Sequence, residues 1–415
     1  MSDDGILALT ILALTILMFI RDTMRPDIVG LCTLLALLAS GILTPGEAFA
    51  GFSDPLVILL AALFVVGSGL EAAGVTAVIA HHLGRVAGTG EIRILVVLMT
   101  VTALLSSILS STGTVALLIP VAVSLAARAG ISPSRVLIPL AMAAGLGGTL
   151  TLVGTPPNLV VNEALVRAGQ PPLGFFALFP VGALLVLCCV VFCIAARRWL
   201  PDRCPPAVVR AGGDTTPRLD RRGWTALAIM AGMLGLLIAN PIPAVTSVLL
   251  AVAALGLTRC IGPQDMYRYV PVGTVVLVAT MLPMSTALTK TGVVDAAVAG
   301  AAGWMQDLPI HAVIAALFVV TSTIGLVISN TATAVLVAPV AAALAAATGT
   351  DPRVLLLTVA FAASSSLATP IATPMNALVL EPGHYRFADF ARLGLPLQVL
   401  LGILVVLLVP AIYGR

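Results

Sequence analysis

Long apolar stretches dominate the chain and constrain its fold more than any other feature. Of its 415 residues, 60% are apolar and only 9% are charged, whereas soluble domains carry about 25% charged residues. A helix needs about 20 apolar residues to cross a bilayer. The sequence therefore predicts an all-α polytopic membrane protein. The candidate spans form two series of seven: 5–20, 27–44, 55–73, 92–109, 113–129, 135–167 and 174–198, then 223–240, 243–258, 271–289, 309–328, 331–348, 354–380 and 391–412.

Matching residues of the two series are separated by a nearly constant number of positions along the chain, here called the repeat offset. Thr-Pro-Pro-Asn at 155–158 corresponds to Thr-Pro-Met-Asn at 373–376, and Pro120 corresponds to Pro339. Aligned Pro, Thr and Asn are hard to obtain by chance in a chain rich in Ala and Leu. We infer a two-fold internal repeat. Its parts are a first copy over 1–198, a cytoplasmic linker over 199–222 and a second copy over 223–415.

The positive charges predict how the repeats are oriented. We expect 92–129 and 309–348 to be re-entrant hairpins, and 135–167 and 354–380 to be broken helices that cross once. Each copy then makes about five crossings, and the odd number inverts the second copy. With both termini outside, the Lys and Arg residues fall on the cytoplasmic side, which agrees with the positive-inside rule. The exceptions are Arg167, Lys290, Arg353 and Arg415. The predicted location is the cell (inner) membrane.

Four uncharged polar stretches within the apolar segments carry the predicted chemistry. They cover 100–116, 145–160, 322–336 and 364–378, and they contain no Asp, Glu, Lys, Arg or His. Their Gly and Pro residues should interrupt the broken helices. Unwound backbone is tolerated at membrane depth only inside protein or beside a cavity. Free N–H groups favour an anion and free carbonyls favour a cation such as sodium. The pattern predicts a site for a small anion, with co-bound sodium as the counter-charge.

The same motifs resemble the paired signatures of the divalent anion/sodium symporter family, part of the ion-transporter superfamily that includes citrate permeases. The resemblance rests on Ser-Asn-Thr-Ala-Thr at 329–333, Ala-Thr-Pro-Met-Asn at 372–376 and Thr-Leu-Val-Gly-Thr-Pro-Pro-Asn at 151–158, and it covers the whole chain. It implies a homodimer formed through scaffold helices. It also implies an elevator-type motion of the hairpins and broken helices as one body.

The resemblance also implies which residues bind substrate and sodium. The substrate residues would be Ser110, Ser111, Thr112, Ser329, Asn330, Thr331, Thr373 and Pro374. One sodium would bind among Ser106, Ser110, Ser111 and Gly154, and the other among Gly325, Asn330 and Ala372. The cargo would be a di- or tricarboxylate or a sulfate-like anion. We expect no catalytic residue, no transition metal, no cofactor besides the coupling sodium and no nucleic-acid partner.

The sequence departs from the family pattern at two positions. Ser111 stands where Asn is usual, and Met375 replaces the second Pro of the second motif. A hydroxyl at 111 replaces an amide that can donate twice and accept. This change predicts either a weaker first sodium site or a substrate other than a dicarboxylate.

Two other functions fit the composition less well. A sodium/proton antiporter or a metalloid/anion efflux permease of the same superfamily remains the alternative transport function. Proton exchange normally needs a membrane-buried carboxylate, and the four polar stretches contain none. An intramembrane protease would need a buried Ser–His or paired Asp arrangement, and no such arrangement can be proposed. We therefore expect a transporter and not an enzyme.

Overall fold

A computed structural model gives the fold of the chain. It describes residues 3–21, 24–75, 78, 88, 90–109, 111–203, 220–239, 241–262, 272–293, 296, 308–326, 328–370 and 373–414. Within these residues the regular structure is helical and contains no β-strand. Two predicted site residues, Ser110 and Ala372, lie outside the described residues, as do residues 204–219 of the predicted linker.

The helices follow the predicted apolar segments closely. In the first half they are α1 (Asp3–Arg21), α2 (Pro26–Ala39), α3 (Pro45–Phe49), α4 (Pro55–Ala72), α5 (Glu91–Ser106), α6 (Ser111–Ala129), α7 (Leu137–Gly147), α8 (Pro156–Arg167) and α9 (Phe179–Ala195). In the second half they are α10 (Arg221–Ala239), α11 (Ala244–Leu257), α12 (Val272–Lys290), α13 (Ile310–Gly325), α14 (Asn330–Thr348), α15 (Pro352–Ser364), α16 (Pro374–Leu380) and α17 (Phe387–Tyr413).

Several of these helices are long enough to span a membrane. Among the described residues, six helical stretches have the necessary length and apolar composition: Pro45–Leu70, Ser111–Ala129, Phe179–Trp199, Arg221–Ala239, Asn330–Thr348 and Phe387–Tyr413. The all-helical, multi-pass membrane architecture predicted from the apolar segments is thereby confirmed.

A tight helical hairpin occupies the same place in the two halves. Helices α5 and α6 form the first hairpin, and α13 and α14 form the second. The connections between the arms, here called the first tip (107–110) and the second tip (326–329), are four residues long. In both tips the backbone continues the preceding helical turn: the Leu109 N–H donates to Leu105 O at 2.8 Å, and the Ile328 N–H donates to Ile324 O at 3.1 Å.

Each half also contains one interrupted helix. Helix α7 ends at Gly147 and α8 begins at Pro156, so we call residues 148–155 the first break. Helix α15 ends at Ser364 and α16 begins at Pro374, so residues 365–373 are the second break. Proline suits the first position of a helix, because its missing N–H would have no intrahelical partner there. Gly148 allows close packing: an added Cβ would lie 3.1 Å from Gly154 O.

The helices pack as two groups. The first group joins α1 to α2, α2 to α12, α4 to α11 and α10 to α11. The second group contains both hairpins, both broken helices, α9 and α17. Within it the halves interlock: α6 packs against α16, and α14 packs against α8. Contacts between the two groups include α4 with α8 and α12 with α14.

Glycines let helices touch the unwound segments directly. A Cβ at Gly182 of α9 would clash with the backbone of Thr149 in the first break. A Cβ at Gly394 of α17 would lie 2.7 Å from the backbone nitrogen of Ala368 in the second break. Small residues allow this close approach of backbones in membrane proteins. Most of the described residues of the two breaks are buried, and protein-enclosed positions are where irregular backbone can exist at membrane depth.

Candidate functional site

The two breaks lie beside each other in the second helix group. A Cβ at Gly145, just before the first break, would lie 3.4 Å from Leu367 Cδ2 and 3.4 Å from Met375 Sδ. Leu367 belongs to the second break, and Met375 follows it in α16. The side chain of Met375, one of the two positions that depart from the family pattern, is thus buried between the two broken helices.

The first tip is joined to the first broken helix through Ser106. Its hydroxyl oxygen lies 2.6 Å from the carbonyl oxygen of Ala144 and 2.6 Å from the hydroxyl oxygen of Ser111. Ser106 is fully buried, and Ser111 is buried at the start of α6. Gly154 is buried in the first break against Gly148. Of the predicted first sodium group, the hydrogen bonds directly join Ser106 and Ser111, while Gly154 lies in the neighbouring break.

The start of α14, directly after the second tip, presents an amide. Ser329 caps α14 and accepts a hydrogen bond from the Ala332 N–H at 3.2 Å. Asn330 is the first residue of that helix, and its side-chain oxygen is buried without a hydrogen-bond partner among the described residues. A buried acceptor without a partner is costly. The arrangement therefore suits a cation or a hydrogen-bond donor at this point.

The remaining predicted residues of the second half lie around the second break. Gly325 lies directly against Ser366, and a Cβ there would lie 3.6 Å from Thr333 Oγ1. Thr373 is buried and caps α16, accepting a hydrogen bond from the Asn376 N–H at 3.4 Å. Pro374 is exposed beside it. Thr331 is buried, whereas Thr112 and Ser329 are partly exposed.

Charged side chains pair away from the polar stretches. Arg135 binds Glu91 at 2.7 Å, Arg167 binds Asp54 at 2.7 Å, and Arg203 binds Asp389 at 2.8 Å. None of these residues belongs to the four uncharged stretches. The site is therefore built from hydroxyl, amide and backbone groups, which can accept from a donor or coordinate a cation without carrying formal charge.

Sequence reasoning overlooked three hydroxyl groups in the breaks. Thr151 donates to Ser107 O at 2.5 Å, Thr369 donates to Leu326 O at 2.6 Å, and Ser366 donates to Ser322 O at 3.0 Å. Thr151 and Thr369 are separated by the same repeat offset as the Thr-Pro motifs that follow them. That offset was the signal that could have identified the two threonines as an equivalent pair.

Apolar helices long enough to cross a membrane, together with interrupted helices, are typical of polytopic membrane transporters. The model of the Citrate transporter family matches residues 15–360 of the chain. The chain therefore belongs to this family, which confirms the resemblance inferred from the motifs, and it is not an enzyme.

Known relatives agree with this assignment. The chain is 28% identical to the uncharacterized transporter YfbS of Escherichia coli, with all of both chains covered. It is 23% identical to the sodium-dependent dicarboxylate transporter SdcS of Staphylococcus saprophyticus, covering all of this chain and 88% of that protein. It is 31% identical to sodium/sulfate cotransporter 1 of Chlamydomonas reinhardtii, over 48% of this chain and 24% of that protein.

Solved structures support the fold. The YdaH transporter of Alcanivorax borkumensis matches with a TM-score of 0.65 at 18% identity, covering 88% of this chain and 86% of that one. MtrF of Neisseria gonorrhoeae matches with a TM-score of 0.61 at 15% identity, covering 91% of this chain and 83% of that one. At this level of identity the likeness concerns the fold alone.

Proposed function

We propose that the protein is a secondary active transporter that carries a small anion together with sodium. The cargo class is a di- or tricarboxylate or a sulfate-like anion. The observation that carries this proposal is the pair of neighbouring helix breaks, lined by buried hydroxyl and amide groups and free of ionisable side chains. The names of the relatives, a sodium-dependent dicarboxylate transporter and a sodium/sulfate cotransporter, support the same cargo and coupling ion.

The cargo and the ions occupy adjoining positions in this proposal. Hydroxyl and N–H groups of the two tips and of Thr373 bind the anion, because helix N-termini favour negative charge. Sodium is bound by the Ser106–Ser111 pair with Gly154, and by Gly325 with the Asn330 oxygen, which has no partner in the part of the chain that the structure describes. A cation beside each tip offsets the charge of the anion, which the protein itself does not neutralise.

Transport follows from alternating access in two inverted repeats. The hairpins and broken helices move as one elevator body against a scaffold made of residues 1–90 and 223–308. The grouping of helix contacts supports this division, since the two helix groups meet through few helix pairs. We further propose a homodimer formed through the scaffold, in the cell (inner) membrane, with both termini outside.

Uptake by reconstituted proteoliposomes tests the proposal. Labelled succinate, citrate and sulfate are offered with a gradient of sodium or of choline. We expect uptake of one of these anions, and its loss when choline replaces sodium. Equal uptake with both cations refutes sodium coupling. Sodium-dependent proton flux without any organic anion would instead identify an antiporter.

Variants of the two predicted site residues in the second half test the position of the site. Asn330→Ala and Thr373→Ala should each lower uptake at least about tenfold, because each removes a polar group from the site. Asn162→Ala is the matched control: this residue of α8 accepts a hydrogen bond from the Leu173 N–H at 2.7 Å, outside the breaks. Normal uptake by both site variants would refute the placement of the site.

A further inference from the structure

The same two side chains tie the break to the tip in each half of the molecule. In the first half, Thr151 Oγ1 donates to Ser107 O, and Asn158 Nδ2 donates to Thr151 O at 2.9 Å. In the second half, Thr369 Oγ1 donates to Leu326 O, and Asn376 Nδ2 donates to Thr369 O at 2.9 Å. The two threonines are counterparts at the repeat offset, and so are the two asparagines. The same two hydrogen bonds, threonine to tip and asparagine to threonine, therefore occur in both halves; we call each set a relay.

Each threonine bonds to a carbonyl that the hairpin helix leaves free. Ser107 and Leu326 are the C-cap residues that directly follow α5 and α13. Carbonyls at a helix C-terminus have no intrahelical partner. A hydroxyl from the break supplies that partner, so the first residue of each tip is held at a fixed place relative to the break of the same half.

Asn158 replaces a hydrogen bond that the first break has removed. Asn158 Nδ2 also donates to Gly148 O at 2.9 Å. In an unbroken helix the Leu152 N–H would bond to this carbonyl, but it donates to Phe175 O at 2.9 Å. Asn158 therefore closes the backbone of the first break onto the first turn of α8.

The amide nitrogen is the group that fixes each asparagine. Asn158 and Asn376 are fully buried, and the side-chain oxygen of each has no hydrogen-bond partner among the described residues. A flipped amide would place that oxygen against the carbonyl oxygens that now accept from the nitrogen. Only the orientation seen here avoids this repulsion, so the donated bonds determine how the side chain lies.

These four residues lie between the groups predicted to bind cargo and ions. Gly154 lies within the stretch that Thr151 and Asn158 close, and Thr373 lies within the stretch that Thr369 and Asn376 close. Ser111 and Asn330 begin the helices that follow the two tips. Each relay therefore connects the binding groups of a tip to those of a break.

We propose that the pairs Thr151–Asn158 and Thr369–Asn376 are positioning residues that set the distance between tip and break, and with it the affinity for the coupled cation. This inference rests on the proposed site. The pairs act through the backbone of the residues that bind cargo and ion.

Hydrogen–deuterium exchange in nanodiscs tests the relay without any cargo. In Thr151→Val we expect the peptide around the first tip, 103–112, to exchange about tenfold faster, because one anchoring hydrogen bond is lost. The peptide around the second tip, 322–331, should be unchanged. Thr369→Val should show the reverse. Thr358→Val is the matched control, since its buried hydroxyl donates to Val354 O within its own helix.

Sodium dependence of uptake tests whether the relay positions the site. In Thr151→Val and Asn158→Leu we expect the sodium concentration for half-maximal uptake to rise at least about fivefold. Thr151→Ser should restore it, because the hydroxyl returns. Asn162→Leu should leave it unchanged. If Thr151→Val does not fold, Thr369→Val and Thr369→Ser provide the same comparison.

The possible outcomes separate the inference from the proposed function. Unchanged exchange at the tip, or faster exchange with unchanged sodium dependence, would show that the pairs have no positioning role. A Thr151→Ser variant as impaired as Thr151→Val would overturn the inference as well, since the hydroxyl would then not matter. If uptake by the wild-type protein does not depend on sodium, sodium coupling is refuted. Hydrogen–deuterium exchange alone then tests the inference.

Discussion

The two halves hold their breaks with the same relay but differ in how the hairpin meets the broken helix. In the first half the hydroxyl belongs to the hairpin, where Ser106 bonds to Ala144 O of α7. In the second half it belongs to the break, where Ser366 bonds to Ser322 O of α13. The repeat offset pairs Ser106 with Gly325 and Gly148 with Ser366. Each half thus has one serine and one glycine at these two positions, in opposite order.

This difference shows which feature of the contact matters. In both halves a serine hydroxyl satisfies a carbonyl across the contact between hairpin and broken helix. Gly325 lies directly against Ser366, whereas Gly148 lies against Gly154 and Thr155 of its own break. The hydroxyl–carbonyl bond is therefore kept in both halves, while the chain segment that supplies the hydroxyl changes.

The largest effect should come from filling the contacts that both halves share. Gly182→Ala and Gly394→Ala each place a methyl group against break backbone, which no rotamer change can relieve, so each should cost about 3 kcal/mol. Gly235→Ala in α10 is the control, because an added Cβ there meets nothing within 4 Å. Thermal unfolding in detergent measures all three. A large loss in one half only would contradict the equivalence of the two breaks.

An intermediate effect should come from reversing the serine–glycine order in the second half. Gly325→Ser would bring its Cβ within 3.0 Å of Ser366 Cβ and closer still to its hydroxyl, at a cost of about 2 kcal/mol. Adding Ser366→Gly removes the obstructing side chain and rebuilds the first-half order. We expect the double variant to recover most of the lost melting temperature. Additive losses in the double variant would show that the two positions are not complementary.

The smallest effects concern position 167 and its counterpart at the repeat offset, position 385. Arg167 binds Asp54 across the two helix groups, and the two side chains are 43% and 10% exposed, so Asp54→Asn should cost about 1 kcal/mol. Tyr385 is buried; it donates to Ser134 O at 2.6 Å and accepts from the Ile138 N–H at 3.0 Å. Tyr385→Phe should cost about 1.5 kcal/mol. Melting temperatures in low and high salt distinguish them, because only the ion pair weakens with salt.

Much of the fold could be predicted from local patterns. The helix ends at Gly147, Pro156 and Pro374 follow from residue types that interrupt or begin helices by their own backbone chemistry. The helices that flank the two tips and the two breaks overlap the predicted apolar segments. The site was predicted less completely, because its residues were chosen from motifs, and motifs do not show which hydroxyl reaches which carbonyl.

Two threonines of the second half show that sequence patterns do not predict which carbonyl a hydroxyl bonds to. Thr358 and Thr369 both lie in an apolar segment, yet Thr358 bonds to its own helix and Thr369 bonds to the second tip, 43 residues away in the chain. A hydroxyl in a helix finds a local carbonyl first. Thr369 lies in the second break and not in a helix. The packing of the hairpin then brings Leu326 O within hydrogen-bonding distance of its hydroxyl.

The amino-acid sequence by itself determined that this chain crosses a membrane many times and where its helices are interrupted, because hydropathy and the backbone limits of Gly and Pro act over a few residues. Tertiary structure alone decided that α6 meets α16, that α14 meets α8, and that the hydroxyls of Ser106 and Ser366 bond to carbonyls across the contact between hairpin and broken helix. Such choices depend on the shapes of surfaces assembled from distant segments, and no local pattern in either segment specifies its partner.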